Sequence, residues 1–184
     1  MIKVLSILCG LTAPLRRFFR REEGGGAIEL VILLPVMMSI FMASSEAGLY
    51  MTRQIIIERA VDLTMRDLRL GTFPNPTHDA IKTAICDNAK SVPHCIEGIR
   101  VELRPVSTTT WNLPTTAPTC IDRDEAVQPA NTFSPGAENE LMLVRVCVIQ
   151  DAMFPGAGIG AGVARDSQGG YGIITIAAFV NEPS

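Results

Sequence analysis

Two carboxylates stand in an otherwise apolar part of this sequence. Glu29 and Glu46 are the only charged side chains from Ala27 to Tyr50. As a helix, that stretch would be roughly 36 Å long at about 1.5 Å per residue, which is enough to cross a bilayer with some tilt. A carboxylate in such a place can form an ion pair inside a bundle of helices, or it can simply reach the headgroups at the membrane boundary. Both interpretations are open for each glutamate.

The charge changes sign across this apolar stretch. Residues 1–24 hold five basic and two acidic side chains, whereas the whole chain has a formal net charge of -3, so the remainder is acidic. Basic residues ahead of a membrane span predict that the N-terminus lies in the cytoplasm and that the acidic remainder is exported. An acidic body also argues against binding of nucleic acid, which requires a basic surface.

The junction between the basic segment and the apolar stretch resembles a known processing site. In type IV pilin-like precursors a dedicated peptidase cuts after a glycine and leaves glutamate as the fifth mature residue, which cutting between Gly24 and Gly25 would do for Glu29. More narrowly, the chain resembles the TadE-like pseudopilins of tight-adherence (Flp) pilus systems. The matching motifs are Gly26-Ala27-Ile28-Glu29, Leu34-Pro35, Glu46, Arg53-Gln54 and Val180-Asn181-Glu182-Pro183.

This resemblance implies a precursor with three parts. Residues 1–24 would be a cytoplasmic leader that is removed, residues 25–50 a transmembrane helix, and residues 51–184 an extracytoplasmic, pilin-like domain. Cleavage would leave an ammonium group on Gly25, a suitable partner for the Glu29 carboxylate of a neighbouring subunit. Glu29 would act in membrane-helix assembly together with Pro35 and Glu46.

The function that the resemblance implies is that of a minor pilin or pseudopilin needed for assembly of a tight-adherence type IV pilus, and not of an enzyme. The expected partners are a prepilin peptidase, sibling pseudopilins, the major pilin and an assembly platform in the inner (cytoplasmic) membrane. No cofactor or metal is expected. The alternative is a permanently membrane-anchored extracytoplasmic ligand-binding module, in which residues 1–24 would remain attached.

Four cysteines fall in the part expected to be exported, and Cys9 falls in the leader. An even number of cysteines in an oxidising compartment favours two disulfides, for which three pairings are possible. We favour Cys86 with Cys95, across a short loop, and Cys120 with Cys147, which would tie a long loop to a strand. A metal site would recruit His94 or His78, but their spacing matches none of the usual zinc patterns.

Hydrophobic periodicity predicts two helices after the membrane boundary. The first helix would continue outward until Gly71, with an apolar face of Leu49, Ile56, Ala60, Leu63 and Leu68. The second would run from about Thr77, as N-cap, to Lys90. Its apolar face would be Ala80, Ile81, Ala84 and Ile85.

The rest of the chain predicts a small antiparallel sheet. Alternation from Ile99 to Arg104, and the apolar runs Leu141–Gln150 and Tyr171–Val180, indicate three strands. Residues 105–140 are rich in proline and predict a long irregular loop. The expected fold class is therefore α+β, with a long N-terminal helix lying across about three strands, because a sheet this small needs such a cover.

Two further features of the sequence could take part in binding. The segment Gly156–Ala161 fits a loose dinucleotide-binding pattern, but no crossover helix follows it, so we interpret it as a loop able to touch a membrane or a neighbouring subunit. Trp111 is expected to anchor the long loop, with contact to a partner as the alternative. No nucleophile, acid or base constellation stands out in the sequence.

Overall fold

The computed structural model describes residues 25–73, 76–125, 128, 132–156, 162 and 166–182. The predicted leader, Gly24, Pro183 and most of the Gly156–Ala161 segment lie outside these residues. The chain divides into two compact units, Met1–Phe41 and Met42–Ser184. The boundary expected at residue 50 stays a prediction.

Helix α1, Gly25–Arg69, contains Pro35 and continues beyond it. It ends where Gly71 adopts a left-handed conformation with φ of 70°. There the N–H of Gly71 donates to the carbonyl of Leu68, and the N–H of Thr72 donates to the carbonyl of Asp67, both at 3.1 Å. This pair of bonds is a Schellman motif, which satisfies carbonyls that the last turn leaves free and confirms the predicted end of the helix.

The outer half of α1 buries a face slightly different from the predicted one. Ala60 and Leu68 are buried as expected, but Leu63 is 39% exposed. The buried face consists of Ile57, Ala60, Val61, Thr64, Met65 and Leu68. The prediction of Leu63 as a core residue was therefore wrong, because the helix turns a neighbouring stripe of side chains toward the sheet.

Two shorter helices precede the sheet. Helix α2, His78–Asn88, begins at the predicted N-cap, where the Thr77 hydroxyl accepts a hydrogen bond from the N–H of Ala80 at 3.2 Å. It ends two residues before the predicted Lys90. Helix α3, Cys95–Gly98, was not predicted and follows His94, which has a positive φ of 51°.

The three predicted strands are present and form one antiparallel sheet. They are β1 (Ile99–Val106), β2 (Leu141–Asp151) and β3 (Gly170–Val180), in the order β1-β2-β3. The α+β class and the three-stranded sheet are thus confirmed. Strand β1 includes Pro105, so the long irregular connection begins at Ser107 and not at residue 105.

The two faces of the sheet have different covers. On one face, Val101, Val146 and Ile173 belong to the apolar core that includes the buried residues of α1 and α2. On the other face, Arg145 of β2 is buried and donates to the carbonyl of Thr116 in the long loop at 2.5 Å. The loop therefore covers β2 on this outer face, and this explains why β2 is buried continuously from Met142 to Gln150. Ile174 and Ile176 of β3, on the same face, are exposed.

Candidate functional site

The N-terminal part of α1 presents apolar side chains on all sides. Every residue from Gly25 to Phe41 is exposed, and α1 is the one helix in the described part of the chain that is long and apolar enough to span a membrane. Such all-round hydrophobicity on an exposed helix is typical of a lipid-facing span. This supports membrane anchoring by length and composition.

The predicted processing residues lie at the start of this helix. Gly25 is the first helical residue, and Glu29 is exposed one turn later. Gly24, the residue before the expected cut, lies outside the described residues. The structure thus places Glu29 and Pro35 on the exposed span, and their roles in cleavage and assembly stay predictions.

Glu46 makes contacts within its own chain. It is 1% exposed, and its Oε2 accepts hydrogen bonds from the N–H groups of Met153 and Phe154, each at 3.0 Å. Its other oxygen, Oε1, is buried with no partner among the described residues. The carboxylate therefore holds the turn that follows β2 against the helix.

Arg53 and Tyr50 extend this attachment along the same face of the helix. Nη1 of Arg53 donates to the carbonyl of Asp151 and to the hydroxyl of Tyr171, both at 2.9 Å. The ring of Tyr171 also contacts the ring of Tyr50, with centroids 5.4 Å apart. Burial raises the pKa of Tyr171, while the charge of Arg53 opposes that change. Residues 46, 50 and 53 follow helical spacing, so one stripe of α1 binds the ends of β2 and β3.

The structure contains two disulfides, in the pairing favoured from the sequence. Cys86 is bonded to Cys95, and Cys120 is bonded to Cys147. The first joins α2 to α3, and the second joins the long loop to the outer face of β2. Trp111 in the same loop is mostly exposed, so its predicted role as the anchor is wrong and the disulfide fastens the loop.

A second polar cluster lies where the loop meets the start of β3. Arg123 donates from Nε to Asp166 at 2.6 Å and from Nη1 to Asp151 at 2.8 Å. Asp166 also accepts from the N–H of Gly170 at 2.6 Å. The bond with Arg123, with further help from the Gly170 N–H, lowers the pKa of Asp166, and the same ion pair raises the pKa of Arg123. Sequence reasoning missed this cluster because its members are far apart in the chain.

The neighbouring cavity has a volume of about 510 Å³. Its walls include Arg53, His94, Glu97, Arg123 and Gln150. Gln150 is buried, and its Nε2 donates to the carbonyl of Pro93 at 2.9 Å. Arg53 and Arg123 on this wall already form hydrogen bonds with other groups of the protein. The cavity therefore offers polar groups of both charges, but neither guanidinium is free of such bonds.

The two histidines have nearby carboxylates but no ligand set. His78 lies 3.3 Å from Asp79, and His94 lies 3.4 Å from Glu97. Within the described ranges, no group of three or more His, Cys, Asp or Glu side chains could hold a metal ion.

These observations fit a membrane-anchored protein in which a long apolar helix precedes a disulfide-bonded α+β unit. The TadE-like protein family matches residues 24–66, the segment that contains Glu29, Pro35, Glu46 and Arg53. The expected TadE-like character of this part of the chain is thereby confirmed, and it fits a pseudopilin associated with tight-adherence pili. No curated protein and no solved structure matches the chain.

Proposed function

We propose that this protein is a minor pilin or pseudopilin that helps to assemble a tight-adherence type IV pilus through packing of its membrane helix. The observation that carries the proposal is the coincidence of the TadE-like segment with an exposed apolar helix that begins at Gly25. The role is structural, and the chemistry of the exported part is binding and not catalysis.

Processing would prepare the helix for assembly. Removal of residues 1–24 by a prepilin peptidase leaves an ammonium group on Gly25, at the start of the same helical turn that carries Glu29. In a bundle, the ammonium of one subunit and the carboxylate of another offset the desolvation that each would suffer alone. The partners are sibling pseudopilins, the major pilin and the inner-membrane platform, with the N-terminus cytoplasmic and the disulfide-bonded part periplasmic.

One observation favours the alternative of a permanently anchored ligand-binding module. The cavity beside Arg53 has a volume of about 510 Å³, which lies within the usual range for small-molecule sites. The alternative requires the leader to remain attached, so the mature N-terminus separates the two functions.

The first test is mass spectrometry of the protein purified from its native host. We expect the mature chain to begin at Gly25, and replacement of Gly24 by Phe to leave the precursor uncut. Gly10→Phe, a change of the same kind within the leader, is the control and should be processed normally. A native chain that retains residue 1 would support the anchored module instead.

The second test addresses Glu29 after cleavage. Glu29→Ala keeps helix propensity and lowers the cost of insertion, so the variant should accumulate in the membrane. It should lose co-purification with sibling pseudopilins and the production of pili, while Glu29→Asp should show an intermediate loss. If Glu29→Ala, at equal expression, associates with sibling pseudopilins and supports pili as well as the wild type does, then Glu29 has no role in assembly and only reaches the headgroups at the membrane boundary.

A further inference from the structure

The turn that follows β2 is attached to the outer part of α1. We call this segment, residues 152–156, the boundary turn. Its N–H groups at Met153 and Phe154 donate to Glu46, and Arg53 holds the carbonyl of Asp151 just before it. The boundary turn therefore keeps a defined height along the helix.

Counted along the helix, that height would correspond to the outer edge of a bilayer. Twenty residues run from Ala27 to Glu46. At about 1.5 Å per residue they would span roughly 30 Å, which is the usual thickness of the hydrocarbon core. Tyr50, an aromatic residue of the kind found at membrane interfaces, follows one turn later.

The composition and exposure of the boundary turn fit a lipid surface. Its five residues carry no charge, and the Met153 side chain is 58% exposed. Glu46, by contrast, is almost completely covered. A carboxylate at the edge of the hydrocarbon is expensive unless its oxygens are hydrogen-bonded. The turn supplies two donors to one of these oxygens, Oε2, and leaves the apolar side chain of Met153 exposed at the same height.

We propose that the boundary turn contacts the outer leaflet of the membrane as a second, shallow membrane contact, and that Glu46 is the positioning residue that holds it there. The occupant of this surface is the lipid headgroup and upper acyl region. The inference requires a membrane anchor but no pilus, so it can fail independently of the proposed function.

The test measures the depth of a fluorescent label at residue 153. The full chain carries Cys9→Ser, so that Met153→Cys provides the single free thiol for a nitrobenzoxadiazole probe. The protein is reconstituted into vesicles of phosphatidylethanolamine and phosphatidylglycerol that contain a headgroup nitroxide lipid. Leu113→Cys, another exposed apolar position in the extracytoplasmic part, is the matched control.

We expect the nitroxide lipid to quench the probe at residue 153 several-fold more than the probe at residue 113, and aqueous iodide to show the opposite order. Equal quenching at both positions would overturn the proposal. Shielding from iodide that appears only with co-expressed sibling proteins would also overturn it, because the surface would then belong to a protein partner.

Two substitutions test the role of Glu46 in the Met153→Cys background. Glu46→Gln keeps a carbonyl oxygen that can accept from both N–H groups, so lipid quenching should persist. Glu46→Ala removes the acceptor, and lipid quenching should fall toward the level of the residue 113 control. Unchanged quenching in Glu46→Ala would show that Glu46 does not position the turn. The comparison of residues 153 and 113 stands even if Glu46→Ala fails to fold.

Discussion

Single side chains connect segments that are distant in the sequence. Glu46 binds backbone groups 107 and 108 positions away, and Arg123 reaches Asp166 across 43 positions. The sequence marked Glu46 as exceptional because charge is rare in an apolar run. It could not show that Glu46 binds a turn of the same chain, because the turn binds it through backbone N–H groups, which almost every residue has.

The carboxylate of Asp166 should make the stability of the folded protein depend on pH. Its folded-state pKa lies below the ordinary value of 3.8, first because of the hydrogen bond from Arg123. A lowered pKa means that its contribution is complete above the unfolded-state value and is lost as pH falls through the folded-state value. We expect Asp166→Asn to cost about 1.5 kcal/mol at neutral pH and to differ little from wild type in strong acid.

Thermal unfolding as a function of pH measures this effect. Asp62→Asn is a suitable control, since Asp62 is an exposed residue of α1. The melting temperatures of wild type and Asp166→Asn should converge as pH falls below 3.8, the ordinary value for aspartate. A constant difference over the whole range would show that the Asp166 charge does not contribute.

At the scale of elements, strands were easier to predict than the contacts of the helix. Alternation in β1 and the apolar runs of β2 and β3 fixed their positions within a residue or two, because period two has only two possible faces. In α1, three isoleucines in succession, Ile55–Ile57, make several helical stripes almost equally apolar. Tertiary packing chose the one through Ile57, and periodicity alone could not.

Because α1 turns Ile57 and not Leu63 toward the core, truncation of these two similar side chains should lower stability by very different amounts. Ile57 is 0% exposed within the core, whereas Leu63 is 39% exposed. Ile57→Ala should lower the free energy of unfolding by about 2–5 kcal/mol through lost burial and a residual cavity. Leu63→Ala should change it by about 0.5 kcal/mol or less, as surface substitutions usually do.

Denaturant unfolding of the two variants in the same detergent provides the comparison. Equal losses, or a larger loss for Leu63→Ala, would mean that the stripe predicted from the sequence faces the core after all.

The cover on the outer face of the sheet could not be predicted from the loop itself. Residues 107–140 have no hydrophobic period, so nothing in their pattern indicates a buried surface. The indications lay in β2. Its apolar residues occur on both faces of the strand, and Cys147 lies on the outer face, where it can form a disulfide. A strand apolar on both sides requires two covers.

At the scale of the whole molecule, the two disulfides should contribute unequally to stability. They close segments of 9 and 27 residues. Chain entropy then gives about 2.5 kcal/mol for Cys86–Cys95 and about 3.5 kcal/mol for Cys120–Cys147. Removing the second bond by paired Ser substitutions should be the more harmful change, because it also releases the cover over Arg145.

Paired variants, Cys86→Ser with Cys95→Ser and Cys120→Ser with Cys147→Ser, can be compared by denaturant unfolding. Thiol labelling of the unfolded, unreduced wild-type protein should modify none of the four cysteines. Labelling of all four would contradict export to an oxidising compartment.

In the proposed topology, in which the C-terminal part is exported, the central position of β2 has a consequence for the order of events. Cys120 and Cys147 both emerge before β3, so their bond can form while the sheet still has two strands. Strand β2 nevertheless keeps an open edge until Gly170–Val180 has crossed the membrane, because that segment supplies its second neighbour. The newly exported chain would therefore pass through an interval in which β2, the strand that is most continuously buried in the folded protein, is available to other proteins, and translocation of the last strand would set the length of that interval.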